Sequence, residues 1–245
     1  RRLGEDLRAG WAWACFGLLA PPVWTAIALL PSLAARRRLL KTACKRLMAL
    51  SGVRLRIEGL ERLPAGPCVL VCNHASYMDV LLLTVALPED IRYVAKRSFR
   101  SHWLTRLFME RLATLFVARD DPRQGLADTA PLEAALRGGD RLLIFPEGGF
   151  VRAPGLQPFR MGAFVVAADT GAPIVPVALW GTRSLLRGES WFPRPGLARM
   201  TIGAPIVPTQ ADWAEALRLR ERAYAEILRH CGEPAVAGVP APTGA

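Results

Sequence analysis

His74 and Asp79 stand five residues apart. His74 follows the apolar run Cys68-Val69-Leu70-Val71-Cys72, and Asp79 opens the next one, Val80-Leu81-Leu82-Leu83. A histidine leaving a buried strand and a carboxylate starting the following helix make a base and its orienter. Asp79 holds one ring nitrogen and leaves the other to take a proton. The same residues have a plainer use, because Ser76-x-x-Asp79 ahead of an apolar run is a capping-box pattern in which Asp79 serves only the helix start. The chemical reading gains from a second loop, Phe145-Pro146-Glu147-Gly148-Gly149, which also follows an apolar stretch. Cys72 offers an alternative, a Cys-His pair carrying a covalent intermediate. Against it, Cys68, Leu70 and Cys72 share one face of an extended strand, which marks them for burial. His102 and His230 read as helix-surface residues, and Asp120, Asp121 and Asp169 as solvated or capping.

The elements that position these residues alternate. Strands are expected at 53–57, 68–72, 92–95, 115–117, 142–145, 174–179 and 200–202. Helices are expected at 79–86, 103–112, 161–170 and 212–230, with polar helices broken by Pro131 between 121 and 142. Such alternation predicts an α/β fold, a mixed, largely parallel central sheet flanked by helices. Sites in such folds lie at strand ends, where His74, Arg119 and the Glu147 loop all fall.

Residues 11–35 are almost wholly apolar. As one helix they would reach about 37 Å, enough to cross a bilayer. Pro21-Pro22 sits in the middle and favours a break, leaving two arms of roughly ten residues, each too short to span. The expectation is a bent or re-entrant pair in one leaflet, with a kinked span or a soluble core pair as alternatives. Trp11, Trp13 and Trp24 suit a membrane interface. Arg36, Arg37, Arg38, Lys41 and Lys45 follow at helical spacing among apolar residues, as a basic amphipathic helix does on anionic lipid, each contributing about 1 kcal/mol near the headgroups. The organisation read from the chain is membrane-associated helices over 1–50, an α/β domain over 51–231 and a flexible tail or linker over 232–245.

Composition agrees. The 245 residues are 51% hydrophobic and carry a net charge of +11, which suits an anionic partner. No nucleic-acid motif accompanies the charge, so anionic membrane lipid is the expected partner and nucleic acid is not. Five cysteines without paired spacing argue for a reducing, cytosol-facing setting, the cytoplasmic face of the cell membrane. Without Cys-x-x-Cys or Cys/His clusters, no metal is expected. A first residue that is arginine points to a chain trimmed or cut from a longer polypeptide.

Asn73-His74-x-Ser76-x-x-Asp79 followed by Phe145-Pro146-Glu147-Gly148 resembles the glycerolipid acyltransferases, whose best-known members are the 1-acylglycerol-3-phosphate acyltransferases. The similarity runs from about residue 53 to 205. Leu115-Phe116-Val117-Ala118-Arg119 resembles the family's second motif, and implies that Arg119 helps hold the acceptor phosphate. Pro158-Phe159-Arg160-Met161-Gly162-Ala163-Phe164 resembles the basic helix start after the third motif, and Val175-Pro176-Val177 the fourth. The family commonly has threonine where this chain has Gly149, so a hydroxyl donor is missing there. Asn73, Ser76, Glu147, Gly148, Gly149, Arg152 and Arg160 complete the substrate contacts the resemblance implies.

The implied reaction moves a fatty acyl group from a thioester, acyl-CoA or acyl-carrier protein, to a lysophospholipid hydroxyl, with no cofactor. The residues suit it. An alcohol is a poor nucleophile near neutral pH and needs a base, which is the role of His74, with Asp79 setting the tautomer. The nucleophile belongs to the substrate, so no serine partner is required. Backbone N–H groups of a glycine-containing loop would stabilise the oxyanion. A non-catalytic lipid-binding module and a thioesterase-like hydrolase are the competing readings.

Overall fold

A computed structural model describes residues 2–117, 129–186 and 192–236. Two helices come first, α1 (Arg2–Leu29) and α2 (Leu33–Leu50). A seven-stranded sheet follows: β1 (Val53–Glu58), β2 (Cys68–Cys72), β3 (Ile91–Lys96), β4 (Leu115–Val117), β5 (Arg141–Ile144), β6 (Ile174–Trp180) and β7 (Gly196–Ile202). Its helices are α3 (Met78–Ala86), α4 (Trp103–Arg111), α5 (Ala130–Arg137), α6 (Gly162–Thr170), the short α7 (Thr182–Leu185) and α8 (Trp213–Cys231).

The strand order is β1-β7-β6-β2-β5-β3-β4, parallel at every pairing except β6 with β7. This is the mixed, largely parallel sheet expected. β2 is central and buried on both faces, which explains its unbroken apolar run. Its Val69 and Val71 enter a core closed by α5, α6 and α8, around Leu136, Phe164, Leu219 and Ile227. Cys68, Leu70 and Cys72 enter the opposite core with Leu83, Leu143, Val175 and Met200. Each such fully buried aliphatic side chain contributes about 1.5–3 kcal/mol. β2 and β5 run side by side with Val71 opposite Ile144. His74 and Glu147 each come three residues after that pair, so the register alone brings the two loops together.

One expectation about prolines fails. Pro131 sits in the first turn of α5, where its missing N–H has no partner to lose, and the polar stretch ahead of it lies largely outside the described residues. Pro21-Pro22 does not break α1: the helix runs through both. The carbonyls they leave unserved, at Gly17 and Leu18, lie on an exposed stretch, and Thr25 Oγ1 donates to the Pro21 carbonyl at 3.0 Å. The break comes at Pro31, where Ser32 caps α2 by accepting from the Ala35 amide. The result is a helical hairpin, with Trp11 Nε1 near the start of α1 donating to the Leu50 carbonyl at the end of α2.

The basic residues of α2 divide. Arg36 is buried, donating to the carbonyls of Leu30, Pro31 and Arg111 at 2.7–2.8 Å. Arg37 donates to the Leu112 and Glu89 carbonyls, and Lys41 to that of Leu87. These carbonyls end α1, α3 and α4, where a cation satisfies otherwise unpartnered acceptors and opposes the helix dipole. All three dock the hairpin on the sheet domain, which removes the buried Arg36 from lipid contact, while Arg37 and Lys41 stay half-buried at the cleft. Arg38 and Lys45 remain exposed.

The tail assignment is also corrected at its start. Leu156 donates to the Pro234 carbonyl and Val236 to that of Leu156, so residues 233–236 are stitched to the domain.

Candidate active site

The loop after β2 turns on one carboxylate oxygen. Asp79 is fully buried, and its Oδ2 accepts from His74 Nδ1 at 2.8 Å, the Ala75 amide at 2.7 Å and the Ser76 amide at 2.8 Å. Ser76 Oγ in return accepts from the Met78 amide. Capping the helix start and orienting the ring are thus compatible uses of Asp79: the helix start that Asp79 and Ser76 secure is what fixes the carboxylate against the ring. A carboxylate is an acceptor only, so His74 Nδ1 carries the proton and Nε2 keeps its lone pair.

The His74 ring is held on its faces as well. Phe145 stacks on it at 4.1 Å, and Phe150 meets it edge-on at 4.6 Å. Tyr77 packs edge-on against Phe150. Glu147 secures the main chain: its Oε1 accepts the His74 amide at 2.5 Å and its Oε2 the Gln157 amide at 2.8 Å. Burial pushes the Glu147 carboxyl up to about 7, against the pull of those two amides.

His74 opens on a cleft of about 1000 Å³. Its walls are mostly apolar, with Val80, Leu83, Leu87, Ile91, Val94, Phe108 and Met109 from α3, β3 and α4. Gly148, Gly149, Phe150, Val151 and Arg152 line it beside His74, while Arg37 and Lys41 also border it. A long apolar hollow beside one histidine–carboxylate pair can bind an alkyl chain and carry out proton transfer beside it.

A family model for acyltransferases matches residues 54–180. The chain belongs to the acyltransferase family. It is 32% identical over 159 residues to a chloroplastic 1-acyl-sn-glycerol-3-phosphate acyltransferase of Brassica napus, covering 64% of this chain and 46% of the relative. To the Pseudomonas aeruginosa enzyme of the same name it is 26% identical over 185 residues, 75% of this chain and 71% of the other. The chain thus spans about half the length of the plant relative. Its fold is that of a Thermotoga maritima 1-acyl-sn-glycerophosphate acyltransferase crystal structure, with a TM-score of 0.72 at 22% identity over 94% of this chain and 95% of that one.

Within this family member the expected site residues divide by location. His74, Gly148, Gly149 and Arg152 line the cleft. Asn73 does not serve a substrate: its side chain accepts from the Leu179 amide at 2.7 Å and donates to the Leu179 carbonyl at 2.9 Å, pairing β2 to β6 where the strand ends. Ser76 is fully buried, and its hydroxyl donates to the Leu186 carbonyl at 2.6 Å. Both are corrected to structural residues. Glu147 likewise spends both oxygens on main-chain amides. Arg160 is exposed and its guanidinium lies against Gly148, whose positive φ of 81° favours glycine. Arg119 lies outside the described residues. Cys72 is buried and desolvation raises its thiol well above the ordinary value, which removes it as a nucleophile.

The aromatic residues around His74 escaped the sequence reading. Tyr77 lies inside the first motif and Phe150 directly follows Gly149, so their proximity to the motifs was the available signal. The lining from β3 and α4 left no such trace, since it looks like ordinary core.

Proposed function

We propose that the chain moves a fatty acyl group from an acyl thioester, acyl-CoA or acyl-carrier protein, to the free hydroxyl of a lysophospholipid, with 1-acylglycerol-3-phosphate as first candidate. The observation that carries this reading is the His74–Asp79 pair opening on a largely apolar cleft. The acyl chain lies along that cleft and brings the thioester carbon beside His74. The acceptor hydroxyl gives its proton to Nε2 as its oxygen attacks that carbon, and Asp79 stabilises the imidazolium so formed. Collapse of the tetrahedral intermediate breaks the carbon–sulfur bond, and the departing thiolate takes the proton back from Nε2. Ester and thiol result, with nothing oxidised or reduced. The stacked Phe145 ring adds a favourable face to the transient cation.

The same reading places the protein on an anionic membrane surface at the cytoplasmic face. Its support is the helix segment Gly4–Leu29, long and apolar enough to cross a membrane. The exposed Leu18, Leu29, Trp11 and Trp103 add to it, with Arg38 and Lys45 on the neighbouring helix. The α1–α2 hairpin fits insertion into one leaflet, which lets the lysolipid acceptor reach the cleft by lateral diffusion.

The test is acyl transfer on membranes holding wild type or His74→Ala, with labelled acyl-CoA or acyl-carrier protein and lysophosphatidic acid beside neutral and zwitterionic lysolipids. Diacyl product from lysophosphatidic acid, lost in the variant, is expected. Product from another lysolipid alone replaces the acceptor and keeps the chemistry. Absence of product with every donor and acceptor overturns the reading.

A further inference from the structure

Glu233 closes a half-buried ion pair that the reaction itself does not use. Its Oε1 accepts from Arg183 Nε at 2.7 Å, with side-chain exposures of 12% and 16%, and its Oε2 accepts the Gly155 amide at 2.7 Å. Arg183 Nη1 reaches further, donating to the carbonyls of Val151 and Arg152 at 2.8 and 3.0 Å. Two residues from distant parts of the chain therefore fasten three points of the loop 151–155, at Val151, Arg152 and Gly155. That loop is the wall of the cleft at Val151 and Arg152, directly after the Phe150 that packs on His74.

The fastening continues on both sides. Beyond Gly155, Leu156 forms a bridge with Ala235 and is fully buried, and the Tyr224 hydroxyl donates to the Leu156 carbonyl. Gly155 itself has a φ of 134°, and a Cβ there would come within 2.7 Å of a Val236 methyl, so the contact is close on the backbone. The next residue, Gln157, gives its amide to Glu147, which holds the His74 amide with its other oxygen. A continuous line of hydrogen bonds runs from the segment after α8 to the main chain of the base.

A pair worth only surface stability would not look like this. Two charges drawn partly out of water carry a desolvation cost that a carboxylate recovers only when its oxygens are well partnered. Here the partners are main-chain atoms of a cleft-wall loop rather than a core element. We propose that Arg183 and Glu233 are positioning residues, a clamp that fixes loop 151–155 at the mouth of the cleft and so sets how tightly the acyl acceptor is held beside His74. This rests on the acyl-transfer reading above. It adds that acceptor binding is governed from the C-terminal end of the domain, through residues that never touch the reacting atoms.

The experiment uses the full chain in membranes, as wild type, Glu233→Gln and Gly155→Ala. Glu233→Gln keeps the shape but has one acceptor oxygen for two donors. Gly155→Ala presses on Val236 without altering a charge. Steady-state transfer is measured against lysolipid concentration and pH, and hydrogen exchange is followed at the amides of Gly155, Leu156 and Gln157. The clamp predicts faster exchange at these amides in both variants and a KM for the acceptor raised roughly tenfold, as for loss of a charge-assisted hydrogen bond, with kcat and the pH profile retained. Unchanged exchange overturns the clamp. Faster exchange with an unchanged KM also overturns it, leaving a structural brace. A wild type that transfers to no acceptor defeats the acyl-transfer reading and, with it, the acceptor role. The exchange data then still report whether the pair holds the loop.

Discussion

Glu147 holds His74 by its main chain, not by its ring: Oε1 accepts the His74 amide at 2.5 Å while Oε2 accepts the amide of Gln157 at 2.8 Å. The ring is left to Asp79, whose Oδ2 fixes Nδ1 at 2.8 Å. Two buried carboxylates thus divide one task, one placing the loop and the other choosing the tautomer.

The dyad sets the first prediction. His74→Ala removes the base and lowers transfer on the order of 10³-fold. Asp79→Asn puts an amide against three donors, leaves the tautomer unspecified and lowers kcat by roughly 10²- to 10⁴-fold. Cys72→Ala retains transfer within about threefold, since it removes a buried thiol and no reacting atom. Labelled acyl transfer by the three variants, with melting temperatures alongside, decides it. Loss of activity in a well-folded Cys72→Ala would return the covalent route to consideration.

Glu147 sets a pH prediction. Burial raises its carboxyl from the ordinary 4.5 to about 7. Between those values the folded protein keeps a proton that the unfolded chain has released. Stability from this group is therefore greatest below 4.5, is lost as the pH rises through the window and levels off above about 7. The full change is about 3 kcal/mol at 1.36 kcal/mol per pKa unit. Glu147→Gln has no proton to lose, so its melting temperature should fall less than that of wild type between about pH 5 and pH 8. Parallel curves for the two proteins would show that Glu147 does not titrate in this range.

Gly149 carries the third prediction. The family's threonine is absent here, yet a Cβ at Gly149 meets nothing within 4 Å and the residue has no positive φ. The backbone freedom that glycine brings is not in use, in contrast to Gly148 with a φ of 81°. Gly149→Thr should fold with stability within about 0.5 kcal/mol of wild type. It places a hydroxyl in the cleft wall beside His74 and should shift the ratio of kcat/KM toward phosphate-bearing lysolipids by roughly threefold to tenfold, one neutral hydrogen bond. Competition between lysophosphatidic acid and a neutral lysolipid measures it. An unchanged ratio would mean that the acceptor headgroup lies away from this position.

What the sequence made legible follows the range of the interactions. β2 appears where its apolar run predicts, because burial on both faces writes a continuous pattern, and the short edge strand β4 also lies where its apolar run places it. β7 begins four residues earlier than its apolar core suggests: Gly196 to Arg199 are held by pairing with β1, which a local pattern does not record. The His74–Asp79 pair is readable since its residues lie within one turn of chain. Asn73 and Ser76 were misassigned because their partners, Leu179 and Leu186, are 106 and 110 residues away. Arg36 looked like a lipid-facing charge because its helix is basic and amphipathic. Only the fold shows the helix ends converging on it.

The hairpin separates these two uses of basic residues, and that gives the last prediction. Arg36 serves the Leu30, Pro31 and Arg111 carbonyls, so Arg36→Ala takes this donor from the Pro31 and Arg111 carbonyls, while that of Leu30 keeps Arg111 Nη2, and it loosens α2 against α4, which Arg37 still ties at Leu112. Its melting temperature should fall clearly, with activity lost through loosening of the cleft wall that α2 and α4 share. Arg38 and Lys45 are exposed, with Arg38 making only a 3.4 Å pair to a half-exposed Glu89. Arg38→Glu/Lys45→Glu should leave the melting temperature nearly unchanged but weaken binding to anionic vesicles, since each cation near such a surface contributes about 1 kcal/mol. Cosedimentation with phosphatidylglycerol vesicles at low and high salt reads the second effect, and thermal unfolding in detergent reads the first. If the exposed pair destabilised the fold, or Arg36→Ala weakened vesicle binding while the fold stood firm, the division of α2 into a docking face and a lipid face would be wrong.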